Sequence, residues 1–231
     1  MGEDQGVRSG GICPTRNRGK DVTLHPIPEF SSQVTQDQRS GPRLLLTSDS
    51  RIRATMRATL AAVYDGDAST LIIEEFGLGH GAARVDIVVV NSSLHGSEIK
   101  SDRDTLRRLP RRVRIFGPVL DYITLVVGQR HRERATRAVP DWWGLKLACT
   151  SAEGRIHLSE AREPRANPSP DKVAIARLLW RDEALGFLNE LGAARGLLSK
   201  PRKMLYARLA DVVDLDPLRA RVRSQLTSRT D

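Results

Sequence analysis

The segment from Arg84 to Lys100 constrains the fold more than any other: Arg-Val-Asp-Ile-Val-Val-Val-Asn-Ser-Ser-Leu-His-Gly-Ser-Glu-Ile-Lys. Val85, Ile87 and Val89 alternate with Arg84, Asp86 and Val88, the pattern of a strand with one apolar face and one more polar face. Asn91-Ser92-Ser93 has the composition of a turn. A hairpin folded about Ser92 sets Asp86 opposite Glu98 and Arg84 opposite Lys100. Directly opposed Cβ atoms lie about 4.5–5.5 Å apart, close enough for two carboxylates to share a cation. A slip of one residue would send Asp86 and Glu98 to opposite faces, so the pattern that fixes the register also builds the pair. Lys100, two residues beyond Glu98, shares its face.

Two carboxylates at this range repel unless positive charge lies between them. Hard oxygen donors select Mg²⁺, Mn²⁺ or Ca²⁺ over zinc. Mg²⁺ on one or two carboxylates keeps several waters and accepts phosphate oxygens. An ammonium beside it, here Lys100, would orient or help deprotonate an attacking water, or steady the phosphate charge. This chemistry points to phosphodiester hydrolysis. The same three residues would also serve as a solvated polar face of a sheet. Three surrounding features favour the metal site: Glu74-Glu75 at the end of the preceding strand offer a third acid, apolar strands flank the hairpin on each side, and an Arg-rich segment follows it.

Glu75, then Asp86, then Glu98-Ile99-Lys100 resembles the acid-Asp-(Asp/Glu)-x-Lys signature of the PD-(D/E)XK nuclease superfamily. The longer run Arg84-Val85-Asp86-Ile87 and His95-Gly96-Ser97-Glu98-Ile99-Lys100-Ser101-Asp102 is similar to an uncharacterised bacterial branch of it. So are Leu109-Pro110-Arg111, Leu125-Val126-Val127-Gly128 and Pro140-Asp141-Trp142-Trp143-Gly144. The likeness runs from about Arg51 onward. It implies a restriction-endonuclease-like core with Mg²⁺ (or Mn²⁺) as cofactor. Asp86, Glu98 and the Ile99 backbone carbonyl would be the metal ligands and Lys100 the catalytic lysine. Glu75, preferred over Glu74 on alternation from Ile73, would be the upstream acid and a possible further ligand. Two departures bear on substrate class. Val85 stands where the signature has Pro, and Arg112 or Phe116 occupies the helix region that carries Gln or Tyr in many relatives.

The 231 residues carry a formal net charge of +9, and only 4% are aromatic. The charge favours an anionic partner such as nucleic acid, and the few aromatics argue against a base-stacking platform. Cys13 and Cys149 are the sole cysteines, too few for a disulfide framework or a zinc cluster. The N-terminus lacks the apolar core of a signal peptide, and no apolar run approaches a membrane span. The expected location is the cytoplasm, with no membrane partner. The oligomeric state is left open, a homodimer among the options.

Residues 1–45, rich in Gly, Pro, Ser and Gln, read as a disordered tail. Residues 46–162 read as the nuclease-like core, a small mixed β-sheet flanked by helices. Its expected elements are a helix over Ser50–Tyr64, a strand over Leu71–Phe76 and the hairpin. A helix then runs from Ser101-Asp102 to Phe116, bent at Pro110, followed by a strand over Tyr122–Val127, a helix over Arg130–Val139 and a strand over Trp143–Cys149. Trp142 and Trp143 read as packing residues. Residues 163–170, with three prolines, read as a linker, and 171–231 as an all-α region that either forms its own small domain or caps the core. The class is thus α/β with a helical C-terminal region. Arg107, Arg111 and Arg114 would share a helix face for tracking phosphates, and Lys200, Arg202 and Lys203 offer a second basic group. The function expected is metal-dependent cleavage of nucleic acid, DNA being preferred to RNA, in a repair, phage or defence setting. The alternative is a catalytically inactive nucleic-acid-binding or interaction subunit with the same fold.

Overall fold

The hairpin forms as β2 (Ala83–Val90) and β3 (Leu94–Lys100) in a computed structural model that describes residues 46–229. Ile87 pairs with Ser97, Val88 with Gly96, Val89 with His95 and Val90 with Leu94, the register that sets Asp86 opposite Glu98. Asn91 closes the turn: its Oδ1 accepts from Ser93 N at 3.1 Å, and its own N–H donates to Ser93 O at 3.0 Å. The ladder runs no further than Ile87–Ser97, so Arg84 and Lys100 are not paired within it; Arg84 pairs with Gly77 on the other side of β2. The expected alternation also breaks. Val85 joins the core on one face of the sheet, whereas Ile87 and Val89 join the core on the other.

Four more strands complete a six-stranded sheet: β1 (Leu71–Leu78), β4 (Tyr122–Gly128), β5 (Gly144–Thr150) and β6 (Ile156–Arg162), in the spatial order β1-β2-β3-β4-β5-β6. β2 is antiparallel to both β1 and β3, β3, β4 and β5 are parallel, and β6 is antiparallel to β5. Strand β4 and the second half of β2 are continuous apolar runs, Leu125–Val127 and Ile87–Val90, as a sheet buried on both faces requires. Helix α1 (Asp49–Val63) lays Ile52, Met56 and Leu60 on one face, against Ile87, Val89, Ile99 and Val126. The other face packs against α2 (Leu109–Phe116), α3 (Arg132–Ala138) and the C-terminal helices α4 (Lys172–Ala176), α5 (Arg181–Glu190), α6 (Arg202–Val212) and α7 (Leu215–Ser228). The protein is therefore α/β, a mixed sheet with flanking helices and a helical C-terminal region.

Ile175, Leu179, Leu188, Leu205, Leu209 and Leu218 belong to the same buried cluster as Val88, Leu120 and Trp143. The C-terminal helices thus cap the sheet. A charge contact reinforces the join: Arg219 Nε on α7 lies 2.7 Å from Asp121 Oδ1, although not aligned as a hydrogen bond, and Asp121 Oδ2 accepts from Leu94 N at 2.8 Å. Residues 163–170 are fastened to the loops before β4 and β5, through Arg165 N to Trp142 O at 2.8 Å and Asn167 N to Asp121 O at 2.9 Å. Trp143 is fully buried and stacks on Phe116.

Three local expectations need correction. Residues 101–108 form turns, and α2 starts at Leu109 with Pro110 in its first turn. Proline is tolerated there because the first N–H groups of a helix lack intrahelical partners. Asp102 is therefore no helix cap. Buried, it accepts from Thr47 N at 2.9 Å, Thr47 Oγ1 at 2.8 Å and Arg130 N at 3.1 Å, clipping the entry to α1 onto the ends of β3 and β4. Strand β6 was not expected; it is a largely exposed edge strand. The tail reading for 1–45 lies outside the described residues. Among the described residues no helix is long and apolar enough to cross a membrane.

Candidate active site

Asp86 leaves the β2–β3 ladder where its side chain replaces the backbone pairing. Its Oδ2 accepts from the Ile99 N–H at 2.6 Å, while Oδ1 accepts from Arg53 Nη2 at 2.8 Å. This brings the carboxylate to the strand that carries Glu98. Glu98, wholly buried on β3, has one oxygen held by the Lys100 ammonium. Lys100 Nζ also donates to the Ile99 carbonyl at 2.7 Å. The other Glu98 oxygen, Oε2, is buried without a hydrogen bond. Arg112 Nη1 on α2 is 3.3 Å from it, a charge contact whose direction does not make a hydrogen bond; that guanidinium instead donates to the Arg84 carbonyl. Burial pushes the Glu98 carboxyl up from 4.5 to about 7, with the Asp86 charge adding to the effect and Lys100 and Arg112 opposing it.

Glu75 reaches the group indirectly. It adopts a left-handed backbone at φ 53° and interrupts the β1–β2 pairing, which runs Glu74 with Ile87 and then Phe76 with Val85. A non-glycine residue held in that region is strained. Two arginines hold its side chain: Arg53 Nη1 is 3.0 Å from Oε1 and Arg84 Nε 3.3 Å from Oε2. Arg53 therefore bridges Glu75 and Asp86. Glu74 turns to Arg57 at 2.8 Å instead. Among the described residues, no three His, Cys, Asp or Glu side chains converge closely enough to hold a metal ion. The oxygen donors near one another are the Asp86 and Glu98 carboxylates and the Ile99 carbonyl. That set fits Mg²⁺, which takes one or two carboxylates and fills its shell with water and phosphate oxygens. Glu98 Oε2, with the Arg112 charge 3.3 Å away but no hydrogen bond, keeps its lone pairs free for a further partner.

Sequence reasoning thus brought together Asp86, Glu98, Ile99 and Lys100, with Glu75 attached through an arginine. It missed Arg53 as a member of the cluster, and named Arg112 only as a departure from the family pattern. The basic groups lie further out. Arg107 precedes α2 and does not share a helix face with Arg111 and Arg114; all three are exposed, and Arg111 Nη2 donates to Ala82 O at 3.0 Å. Lys200, Arg202 and Lys203 are exposed at the start of α6. His95 is set apart from the cluster: burial, with Lys146 nearby, lowers its pKa to about 4, and its Nε2 lies 2.8 Å from Thr124 Oγ1.

The family described as bacteriophage P4 protein cII matches residues 48–230. Protein cII of Enterobacteria phage P4 is 26% identical over 121 residues, which cover 52% of this chain and 46% of that protein. The chain thus matches about half the length of this curated relative. No solved structure matches it.

Proposed function

The chain belongs to the bacteriophage P4 protein cII family, and for this member we propose metal-dependent hydrolysis of phosphodiester bonds in nucleic acid, DNA in the first instance. The observation that carries the reading is the fully buried Glu98 with one oxygen unsatisfied, beside Asp86, the Ile99 carbonyl and the Lys100 ammonium. A buried carboxylate left short of partners costs stability unless a cation compensates for it. The resemblance to PD-(D/E)XK nucleases supports the same assignment of Asp86, Glu98 and Lys100.

Asp86, Glu98 and the Ile99 carbonyl would hold the Mg²⁺. Bound there, the ion supplies Lewis-acid polarisation of the phosphate and a water of lowered pKa. Lys100 is anchored by Glu98 and Ile99, so its ammonium is preset to orient the attacking water and to oppose charge on the phosphate. Arg112 can turn from Glu98 to a phosphate oxygen without crossing the core, because its side chain is half-exposed. Arg53 offsets the repulsion between Glu75 and Asp86 and fixes both. Arg107, Arg111, Arg114, Lys200, Arg202 and Lys203 offer exposed charge for phosphates at a distance from the cut. The expected location is the cytoplasm, where nucleic acid and Mg²⁺ are both available.

A second reading has one observation in its favour: Arg53, Arg84, Lys100 and Arg112 already offset the charges of Glu75, Asp86 and Glu98 within the protein. A subunit that binds nucleic acid without turnover would look the same. The purified protein should be incubated with linear, circular, single-stranded and branched DNA and with RNA, in Mg²⁺, Mn²⁺ or EDTA, beside Glu98→Gln. Metal-dependent cleavage lost in Glu98→Gln supports the nuclease. Binding without cleavage in any metal supports the inactive subunit.

A further inference from the structure

An open cleft of about 430 Å³ lies between α1 and the turn joining β5 to β6, lined by Arg51, Ala54, Thr55, Gly154, Arg155 and Ile156. Its charge is unlike that of its surroundings. Arg53, Arg57, Arg84 and Arg112 each contact a carboxylate. Arg51 and Arg155 are exposed and, among the described residues, neither guanidinium forms an ion pair or a hydrogen bond. Glu153 is close to Arg155, but Ser151 engages its carboxylate. Arg51 sits in the first turn of α1, against the positive end of the helix dipole. Gly154 has φ +80° and leaves room above it, so that a Cβ there would stand 3.8 Å from Arg51 Nη2.

We propose that Arg51, Thr55 and Arg155 form a phosphate-binding cleft, separate from the Asp86–Glu98–Lys100 cluster, that grips a backbone phosphate of bound nucleic acid. Arg51, Thr55 and Arg155 line one opening, and guanidiniums and a hydroxyl are the donors a phosphate needs. Position supports the assignment. Strands β3, β4 and β5 are parallel, so the turn after β5 and the last residue of β3, Lys100, lie at the same end of the sheet. Arg51 and Arg53 are two residues apart on α1, about 200° around the helix axis at 3.6 residues per turn. One arginine therefore serves the acid cluster and the other the cleft. A helix with its side chains is about 10–12 Å across, or roughly three of the 3.4 Å steps of a duplex strand.

The carrier of the phosphate rests on the nucleic-acid reading of the previous section; the cleft itself does not. Two probes keep the questions apart. The first is inorganic pyrophosphate, followed by the thermal midpoint of wild type and of the Arg51→Gln/Arg155→Gln double variant. Both side chains are exposed, so the midpoints without ligand should agree. Pyrophosphate should raise the wild-type midpoint and leave the variant's unchanged. The second probe is a labelled duplex titrated in EDTA at several salt concentrations. The variant should bind roughly tenfold more weakly, with a salt slope smaller by about 0.9, the value for one phosphate contact on duplex DNA. Equal slopes, or a wild type that ignores pyrophosphate, overturn the cleft. A wild type that answers to pyrophosphate through these two arginines but binds no duplex keeps the cleft and overturns duplex DNA as the carrier of its phosphate.

Discussion

Replacing Glu98 with Gln isolates the energetic consequence of a buried carboxylate. Gln is close to Glu in shape and uncharged at all pH values, so it resembles the protonated wild-type side chain. Burial moves the wild-type Glu98 pKa from 4.5 to about 7. At about 1.4 kcal/mol per pKa unit this corresponds to about 3 kcal/mol. The folded pKa lies above the unfolded one, so between those values the folded state binds the extra proton and stability falls as pH rises. The contribution is fully present below the unfolded pKa and is lost as pH climbs through about 7. Urea unfolding of both proteins near pH 4 and near pH 8 should therefore show a gap that opens in favour of the variant by up to about 3 kcal/mol. With a urea slope of about 2 kcal/mol per molar, that is a midpoint difference of roughly 1.5 M. Mn²⁺ at the higher pH should narrow the gap by stabilising wild type alone. A gap equal at both pH values would refute the reasoning, because Glu98 would then titrate as an ordinary exposed acid.

Asp86→Ala should abolish metal-dependent cleavage and also lower stability by about 1–3 kcal/mol in urea titration, because the Ile99 N–H and Arg53 lose their partner. Gly128→Ala should lower the thermal midpoint through overpacking of about 1–3 kcal/mol, since an added Cβ would lie 2.3 Å from Asp102 Oδ1; an unchanged midpoint would mean that the Asp102 clip is not as tight as described. Replacing Arg111 and Arg114 together with Ala should lower the salt slope of duplex binding by roughly 1–2, while calorimetry of Mn²⁺ binding stays as in wild type because neither residue touches the acid cluster.

The hairpin register was legible because two signals agreed, an apolar run on β2 and an Asn-led turn, and a slip would have been costly on a buried sheet. What alternation could not reveal was that both faces are covered, so Val85 and Ile87 part company. The polar hairpin face is consequently part of the interior, and the acids there also fasten the structure. Arg53 was illegible for a different reason. It sits next to Ile52 on the apolar stripe of α1, and an arginine bordering such a stripe reads the same whether it faces water or a buried acid. Asp102 and Asp104 look like acids opening a helix; Asp104 instead accepts from Ser101 N at 2.8 Å within a turn, and Asp102 holds Thr47. Strand β6 escaped because Ser159, Glu160 and Arg162 give it the surface of an edge strand.

The shared core has a consequence for the order in which the chain is made. Every member of the acid–lysine cluster, from Arg53 to Arg112, is synthesised before Lys172, yet the apolar face beneath β2, β3 and β4 is sealed by side chains from Ile175 to Leu226. A ribosome-bound chain that has just finished β6 owns all the chemistry and lacks the lid of its own interior. Until α7 emerges and Arg219 reaches Asp121, part of that apolar face is left open to water. One core shared along the chain thus ties the closing of the sheet's buried face to helices made well after the strands they cover.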